Sequence, residues 1–455
     1  MSETQARGAS DVVVEEGGGA DEVAGDPPLM DQIKELAMGS KINVLYVCIP
    51  IAFIASWAGG SSGVIFVAAF LALVPLAAAL GDLTEDLALR TNDAIGALIN
   101  VTFGNATELI ISFAALRLEK YELIKMSLAG SILGNMLLVM GTACLVAGLK
   151  WPTIRFNSHA AQTYMSSLIL ATFAFIVPTS FSTLNKNSED PHYALQVSQA
   201  ISILLVLIYG AYIYFQVGSH KSYFDGEKAP PQAMMGWKTP KHEPREKDDD
   251  NDAAAAAKST TTTNADGEEV AAAPEEEEEE EEVPQFSFAF ALVGLAVIAI
   301  LISILSDMLV ESVSGAAEQL HLGQHFIGLV LVPIVGNVAE HASAIVMAAK
   351  GKMDIAIGIA LGSSIQIAMF AMPFTVIVSF LWGKELNMNL TPFVAGCLFA
   401  TVLLTHSILV SGSSTWLSGA KLMVAYLILL VAFLFAPDDA LTVITTTMAP
   451  TTTAA

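Results

Sequence analysis

The sequence predicts an all-α polytopic membrane protein with eleven transmembrane helices, in which one extra N-terminal helix precedes two inverted five-helix repeats. Three observations predict this fold. The 455-residue chain is 54% hydrophobic, and its mean hydropathy of +0.58 is well above that of a soluble domain. It contains a series of apolar segments long enough to cross a bilayer. A short motif that places a carboxylate inside such a segment occurs twice.

The charge of the chain is concentrated outside the apolar segments. Of the net charge of −24, residues 1–40 contribute 9 acidic and 2 basic side chains, and residues 218–285 contribute 19 acidic and 7 basic ones. Acidic, low-complexity sequence of this kind stays solvated. We therefore predict a disordered acidic N-terminal tail over residues 1–40 and a disordered acidic cytosolic linker over residues 218–284. The run Glu275–Glu282 in the linker has two open interpretations, a regulatory or cation-attracting segment and a solvated spacer.

The apolar segments divide into one isolated segment and two groups of five. The isolated segment, residues 41–62, has no later counterpart and is predicted to be the extra helix. The first repeat, residues 63–217, has predicted spans near residues 63–81, 94–116, 126–149, 163–181 and 194–217. The second repeat, residues 285–436, has predicted spans near residues 286–309, 325–349, 354–383, 390–410 and 419–436, before a C-terminal tail, residues 437–455.

Each repeat contains an odd number of predicted spans, so the second repeat enters the membrane from the opposite side, as in secondary transporters. If the N-terminus is cytosolic, eight lysines and arginines of the loops and flanks lie on the cytosolic side and five lie on the other side, which favours this orientation.

The motif Gly104-Asn105-Ala106-Thr107-Glu108 recurs as Gly336-Asn337-Val338-Ala339-Glu340, 232 positions later. A charged carboxylate inside a membrane costs several kcal/mol and marks a functional site by default. Because the costly feature occurs in both repeats, we expect Glu108 and Glu340 to meet at one site.

Two carboxylates supply the two negative charges that are needed to bind a hard divalent cation in a membrane. Asn105 and Asn337 precede the glutamates by three residues and share their helix faces. Gly104 and Gly336 permit either close helix approach or local unwinding, which would free backbone carbonyls to bind the ion, and Pro333 strengthens the case for a broken helix.

Further oxygen donors are expected on the next helix of each repeat. Ser131, Ser363 and Gln366 could complete the site or line its access path, and helix packing is the alternative for all three. His341 follows Glu340 without a counterpart in the first repeat, where Leu109 stands. It could relay protons or only bind a neighbouring helix.

Several functions are not indicated. The sequence lacks a Gly-x-x-x-x-Gly-Lys loop, so ATP is not an expected partner, and it lacks the basic patch typical of nucleic-acid binding. We predict a transporter and not an enzyme, without a cofactor.

Three segments resemble the cation/proton exchangers of the calcium/cation antiporter superfamily, specifically the vacuolar Ca²⁺/H⁺ exchangers. The segments are residues 81–90 (GDLTEDLALR), 100–108 (NVTFGNATE) and 333–341 (PIVGNVAEH). The resemblance implies eleven helices, an inverted repeat and a central Ca²⁺ site. It implies that Glu108 and Glu340 bind Ca²⁺ or protons in competition, beside Asn105 and Asn337. It further implies an acidic-compartment membrane such as the vacuole.

Alternatives stay open at this point. They are a Na⁺-coupled Ca²⁺ exchanger or a Mn²⁺/H⁺ exchanger on the same scaffold, a Ca²⁺ channel, and a Ca²⁺ sensor built on the glutamate run. The sequence also leaves a homo-oligomer open.

Overall fold

The computed structural model describes residues 27–91, 95–96, 99, 102–184, 192–224 and 284–436, and the strand residues 262–263 and 269–270. The first helices are α1 (Leu29–Met38), α2 (Lys41–Trp57), α3 (Ser62–Leu89), α4 (Ala106–Arg117), α5 (Tyr121–Lys150), α6 (Ser158–Leu184) and α7 (His192–Tyr214). They are followed by α8 (Phe288–Leu320), α9 (Gln324–Gly336), α10 (Val338–Ala349), α11 (Met353–Leu381), α12 (Pro392–Leu409) and α13 (Trp416–Phe435).

Short irregular elements complete the list. Helix α2 begins with a 3₁₀ segment, Lys41–Val47, and π-helical turns occupy Gly134–Val139, Phe215–Ser219, Ile327–Leu331 and Ile367–Ala371. A 3₁₀ turn spans Lys221–Tyr223. Strand β1 (Ile154–Arg155) pairs antiparallel with β4 (Ser413–Ser414), and β2 (Thr262–Thr263) pairs with β3 (Glu269–Val270).

Eight of the described helices are long and apolar enough to cross a membrane, and two bent pairs, α1 with α2 and α9 with α10, would raise that number to ten. The predicted span near residues 94–116 lies partly outside the described residues and is represented by α4. The predicted count of eleven spans therefore stays a prediction.

The predicted tail over residues 1–40 is wrong at its end, because α1 forms there. Gln32 explains why this segment is ordered. Its side chain is 4% exposed, donates to the Pro27 carbonyl and accepts from the backbone N–H of Ser287 at 2.8 Å. The predicted linker likewise begins with helical turns, since residues 218–224 continue from α7. Most of the linker, and the C-terminal tail, lie outside the described residues.

Two helices extend further than hydropathy predicts. Helix α3 continues to Leu89 and α8 to Leu320, so the acidic groups that end the apolar runs lie on helices. Asp86 accepts from the backbone N–H groups of Gln285 and Phe286 and pairs with Arg90. These contacts make the long acidic helix end compatible with burial.

The 232-residue offset of the motif also relates whole helices. Shifted by this offset, α4 coincides with α10, and α5 coincides with α11 to within one residue at its end. Even the π-helical turns Gly134–Val139 and Ile367–Ala371 overlap. The offset that relates the two motifs therefore also relates the bounds of the helices that contain and follow them.

Contacts between residues 63–217 and residues 285–436 occur in pairs. When a helix of the first segment packs on a helix of the second, the counterparts of those two helices also pack on each other. Helix α3 packs along its counterpart α8, α4 packs on α8 and α10 packs on α3; α5 packs on α13 and α11 packs on α7. In an assembly related by a two-fold axis, each contact appears twice with its partners exchanged.

The motif helices α4 and α10 end at opposite ends of the molecule. Lys150, the last residue of α5, donates to the carbonyl of Ala349 at the end of α10 (2.6 Å), whereas Lys384, after α11, donates to the carbonyl of Arg117 at the end of α4 (3.4 Å). Helix α5 starts beside the end of α4 and crosses the molecule. We therefore call the end that contains Lys150 and Ala349 the Lys150 end, and the end that contains Lys384 and Arg117 the Lys384 end.

Candidate cation site

Both motif glutamates lie in the first turn of a helix that begins inside the protein. Helix α4 starts after Asn105, and α10 starts after Asn337, where the chain bends by 59° from α9. At the bend, the N–H of Asn337 donates a hydrogen bond to the carbonyl of Pro333 in α9 at 3.0 Å. Pro333 is buried beside the break, as expected of a residue that removes a backbone donor. The predicted helix break at Gly336 is present.

The four polar side chains of the duplicated motif are buried. Glu108 is 5% exposed, Glu340 8%, Asn105 1% and Asn337 6%. The two carboxylates are close enough for the charge of one to act on the other. Gly336 lies directly against Glu108, because a methyl group built on Gly336 would collide with the Glu108 carboxylate. The fold thus brings the second motif onto the glutamate of the first.

Most of the oxygen atoms of these side chains make no hydrogen bond to any described residue. They are both carboxylate oxygens of Glu108, Oε2 of Glu340, and the amide oxygens of Asn105 and Asn337. Buried polar atoms in native proteins almost always have a partner. Carboxylate and amide oxygens are the donors that a hard divalent cation prefers, so this set fits such an ion as its partner.

Ser131 lies where the sequence predicts a further donor. It is 1% exposed, and it lines a small cavity with Glu108, Ser127 and Gly336. Its carbonyl accepts from Nδ2 of Asn337 at 3.2 Å. This bond links the second motif to α5 and leaves the Asn337 amide oxygen available for a ligand.

The predicted donors of α11 are less closely tied to the site. Gln366 is buried just before the π-helical turn, and Ser363 is half-buried nearer the start of the helix. The adjacent Ser364 is fully buried, but its hydroxyl donates to the Ala360 carbonyl at 2.9 Å. Gly104, beside the first motif, is exposed.

His341 points to a partner that the sequence does not identify. Its Nε2 lies 3.1 Å from the hydroxyl of Thr142 on α5. The ring also lines a cavity of about 50 Å³ that Asn337 and Tyr426 share. Helical spacing could have identified Ser127, one turn before Ser131, but nothing in the sequence places Thr142 or Tyr426 beside the motif.

A larger cavity, of about 670 Å³, opens at the Lys150 end. Asp82, Glu85 and Asp86 of α3 line one side of it, and Ser343 of α10 lines another. Ser343 follows Glu340 by three residues, which is less than one helical turn. The cavity therefore reaches to the neighbourhood of Glu340.

Among the residues that the structure describes, the charged groups of the duplicated motif are the carboxylates of Glu108 and Glu340. Over the described ranges, no group of three or more His, Cys, Asp or Glu side chains could hold a metal ion. The candidate ligands are therefore two glutamates, supplemented by neutral oxygens.

Comparison with known proteins identifies relatives over both repeats. The family described as "Sodium/calcium exchanger protein" matches residues 61–218 and 290–435. A vacuolar calcium ion transporter of Schizosaccharomyces pombe is 32% identical over 406 residues, 89% of this chain and 87% of that protein. A Ca²⁺/H⁺ antiporter of Aphanothece halophytica is 34% identical over 398 residues, covering 86% and 96%. Vacuolar cation/proton exchanger 1 of Arabidopsis thaliana is 33% identical over 412 residues, covering 89% and 80%.

Solved structures show the same fold. Native YfkE is 32% identical, with a TM-score of 0.67, over 87% of this chain and 100% of that chain. The H⁺/Ca²⁺ exchanger CAX is 14% identical, with a TM-score of 0.56, over 88% and 89%. At that identity the likeness to CAX shows the fold alone.

Proposed function

The chain belongs to the sodium/calcium exchanger protein family and is an integral membrane protein, and we propose that it exchanges cytosolic Ca²⁺ for protons of an acidic compartment by alternating access. Relatives that share about a third of its residues are named as Ca²⁺/H⁺ antiporters and vacuolar cation/proton exchangers. Their names support Ca²⁺ and protons as the substrates and the vacuolar membrane as the location.

The observation that carries the proposal is the buried pair Glu108 and Glu340, in which both carboxylate oxygens of Glu108 and Oε2 of Glu340 lack a hydrogen-bond partner among the described residues. When both carboxylates are ionised, their two negative charges balance Ca²⁺ in a medium of low dielectric. When they are protonated, the charge that holds Ca²⁺ disappears. One pair of carboxylates therefore binds either Ca²⁺ or protons, and this competition couples the two fluxes.

The neighbouring side chains have supporting roles. Asn105 and Asn337 supply amide oxygens beside the glutamates, and Ser131, Ser363 and Gln366 are the further neutral donors of the proposal. Gly104, Gly336 and Pro333 interrupt the helices, so that each glutamate sits at a helix start inside the membrane. His341 takes part in proton coupling next to Glu340.

Access to the site is supported by the large acidic cavity at the Lys150 end. We assign this end to the cytosol, together with the N-terminus and the linker, from the distribution of loop lysines and arginines. Acidic side chains in a cleft raise the local cation concentration. In this arrangement Ca²⁺ enters from the cytosol and reaches Glu340 first.

Alternating access requires two halves that can exchange roles. We propose that residues 63–217 and 285–436 are inverted repeats of five spans each, after an extra helix over residues 41–62. The exchanged contacts and the opposite directions of α4 and α10 support this arrangement. The acidic linker, residues 218–284, joins the repeats on the cytosolic side.

The test is Ca²⁺ uptake into sealed vesicles that contain the purified protein, under a pH gradient and without Na⁺ or ATP. Wild type is expected to take up Ca²⁺ when the vesicle interior is acidic. Glu340→Gln and Glu108→Gln are expected to abolish uptake. Glu318→Gln, which changes an exposed glutamate of α8, is the matched control and should transport normally.

Other outcomes identify the alternatives. A requirement for Na⁺ would indicate a Na⁺-coupled exchanger, and uptake that ignores the pH gradient would indicate a channel. Preferential uptake of Mn²⁺ under the same gradient would change the substrate and keep the mechanism.

A further inference from the structure

Thr142 lies on α5 and makes three short contacts, two within its own helix and one to the motif helix α10. Its Oγ1 lies 2.8 Å from the Leu138 carbonyl and 2.9 Å from the Val139 carbonyl, both in the π-helical turn of α5. The same oxygen lies 3.1 Å from Nε2 of His341 on α10. No other described hydrogen bond links the His341 ring to a side chain of α5.

The proton count of these groups orients the bond. A hydroxyl has one proton to donate and can accept hydrogen bonds through its lone pairs, whereas a carbonyl can only accept. With its proton directed to the Leu138 or Val139 carbonyl, the Thr142 oxygen must accept from His341. The neutral ring then carries its proton on Nε2, and Nδ1 is its only acceptor.

The His341 ring faces a cavity that Asn337 of the candidate cation site also lines. This cavity, of about 50 Å³, is lined by Asn337 and Tyr426 as well as His341. It has room for a water molecule and offers it polar partners. Of the described residues that line this cavity, Tyr426 on α13 is the other titratable one, and Glu340 directly precedes His341 on α10. A ring held in one tautomer presents this cavity with a fixed donor and a fixed acceptor.

The pair is not a requirement of the repeat. At the same 232-residue offset, Thr142 corresponds to Phe374 and His341 to Leu109. The equivalent place in the other repeat is therefore apolar. Packing of a long helix on a motif helix does not need a hydroxyl and an imidazole, so the polar pair is a feature of the second motif alone among the two copies.

We propose that Thr142 is a positioning residue that fixes the tautomer and orientation of His341 beside the cation site. The proposal rests on the proposed antiport function, in which His341 takes part in proton coupling. Thr142 itself does not touch the substrate. It acts by keeping the Nδ1 lone pair of His341 available on one side of the ring.

The test compares Thr142→Val, which keeps the branched shape and removes the hydroxyl, with Thr142→Ser, which restores the hydroxyl. The first readout is the ¹⁵N spectrum of histidine-labelled protein, in which the His341 signals among the 8 histidines are assigned by their loss in His341→Gln. Wild type and Thr142→Ser are expected to show the Nε2–H tautomer. Thr142→Val is expected to show a mixture of tautomers.

The second readout is Ca²⁺ uptake under a pH gradient. Thr142→Val is expected to lower the maximal rate about fivefold, the effect of losing one hydrogen bond, with the KM for Ca²⁺ within about twofold of wild type. Thr142→Ser should recover the rate. Thr172→Val is the control, since that buried hydroxyl donates only to the Leu168 carbonyl of its own helix at 2.6 Å.

Two results would overturn the proposal: an unchanged ring tautomer in Thr142→Val, or a Thr142→Ser protein as slow as Thr142→Val. If wild type itself lacks proton-driven uptake, the proposed function fails, whereas the ¹⁵N spectra still decide the role of Thr142.

Discussion

Gly336 shows how little space separates the two motifs. The position that a β-carbon would take at Gly336 is already filled by the carboxylate of Glu108. A side chain there must displace the carboxylate or push α9 away from α4. Glycine is needed at this position because of the close approach between the motif of one repeat and the glutamate of the other.

We expect Gly336→Ala to weaken Ca²⁺ binding by about 5- to 100-fold, because overpacking costs about 1–3 kcal/mol and each 1.4 kcal/mol is tenfold in affinity. Calorimetric titration of the purified protein measures the effect. Gly362→Ala is the control, since a β-carbon there meets no atom within 4 Å. Equal affinities for both variants would contradict the close contact at Gly336.

The sequence identified the residues of the site that carry its charge, and the reason is energetic. A glutamate inside an apolar span is too costly to be incidental, so Glu108 and Glu340 are visible without a structure. Hydroxyls such as those of Ser127 and Thr142 carry no such cost, because they bond to their own helix. Their location beside the site depends on how the helices pack, which helical spacing alone does not determine.

At the scale of helices, α4 and α10 share an arrangement that holds their outer ends. Arg117 and Ala349 are the final residues of the two helices, and the last carbonyls of a helix have no partner within it. Lys384 supplies a donor to the first and Lys150 to the second. Each motif helix is thus held by a lysine from the opposite repeat.

We predict that removing one lysine loosens one motif helix and not the other. Such a contact contributes about 0.3–1 kcal/mol, so Lys150→Met should speed amide hydrogen exchange in the last turn of α10 by about two- to fivefold. Lys384→Met should do the same in the last turn of α4. Hydrogen exchange followed by mass spectrometry measures both, and each variant is the control for the other. Equal acceleration in both helices would contradict separate attachments.

Helix boundaries were predictable where hydrophobicity decides them and not where tertiary contacts do. The predicted span near residues 63–81 ends just before Asp82, yet α3 continues to Leu89. The continuation is stabilised by Asp86, which binds the start of α8. In the same way, α1 is held by Gln32 against Ser287. Partners far along the chain are not visible in local composition.

At the scale of the whole molecule, helix packing joins residues 63–217 to residues 285–436. Helices α3 and α8, α6 and α12, and α5 and α13 pack across the boundary between the repeats. The chain is also attached at the start of the linker and just after its end. Phe286 donates to Asp86 at 3.0 Å, and the Tyr223 carbonyl accepts from Asn157 at 2.9 Å.

We predict that a chain cut within residues 225–283 stays assembled and active. A protease site inserted after Asp250 allows the cut to be made in the purified protein. The two fragments should elute together in size-exclusion chromatography and retain pH-driven Ca²⁺ uptake, with the protease-treated wild type as the control. Separation of the fragments, or loss of uptake on cutting, would show that the linker holds the repeats together.

The pairing of α3 with α8 has a consequence for the order of synthesis. The ribosome completes α3 through α7 and the whole linker before α8 emerges, which takes several seconds for the linker alone at about 5–20 residues per second. During that time the surface of α3 that will receive α8 faces lipid or the insertion machinery. A nascent chain that stops in the linker therefore leaves Asp86 without its contacts to Gln285 and Phe286, and cellular quality control has a defined feature by which to recognise the unfinished product.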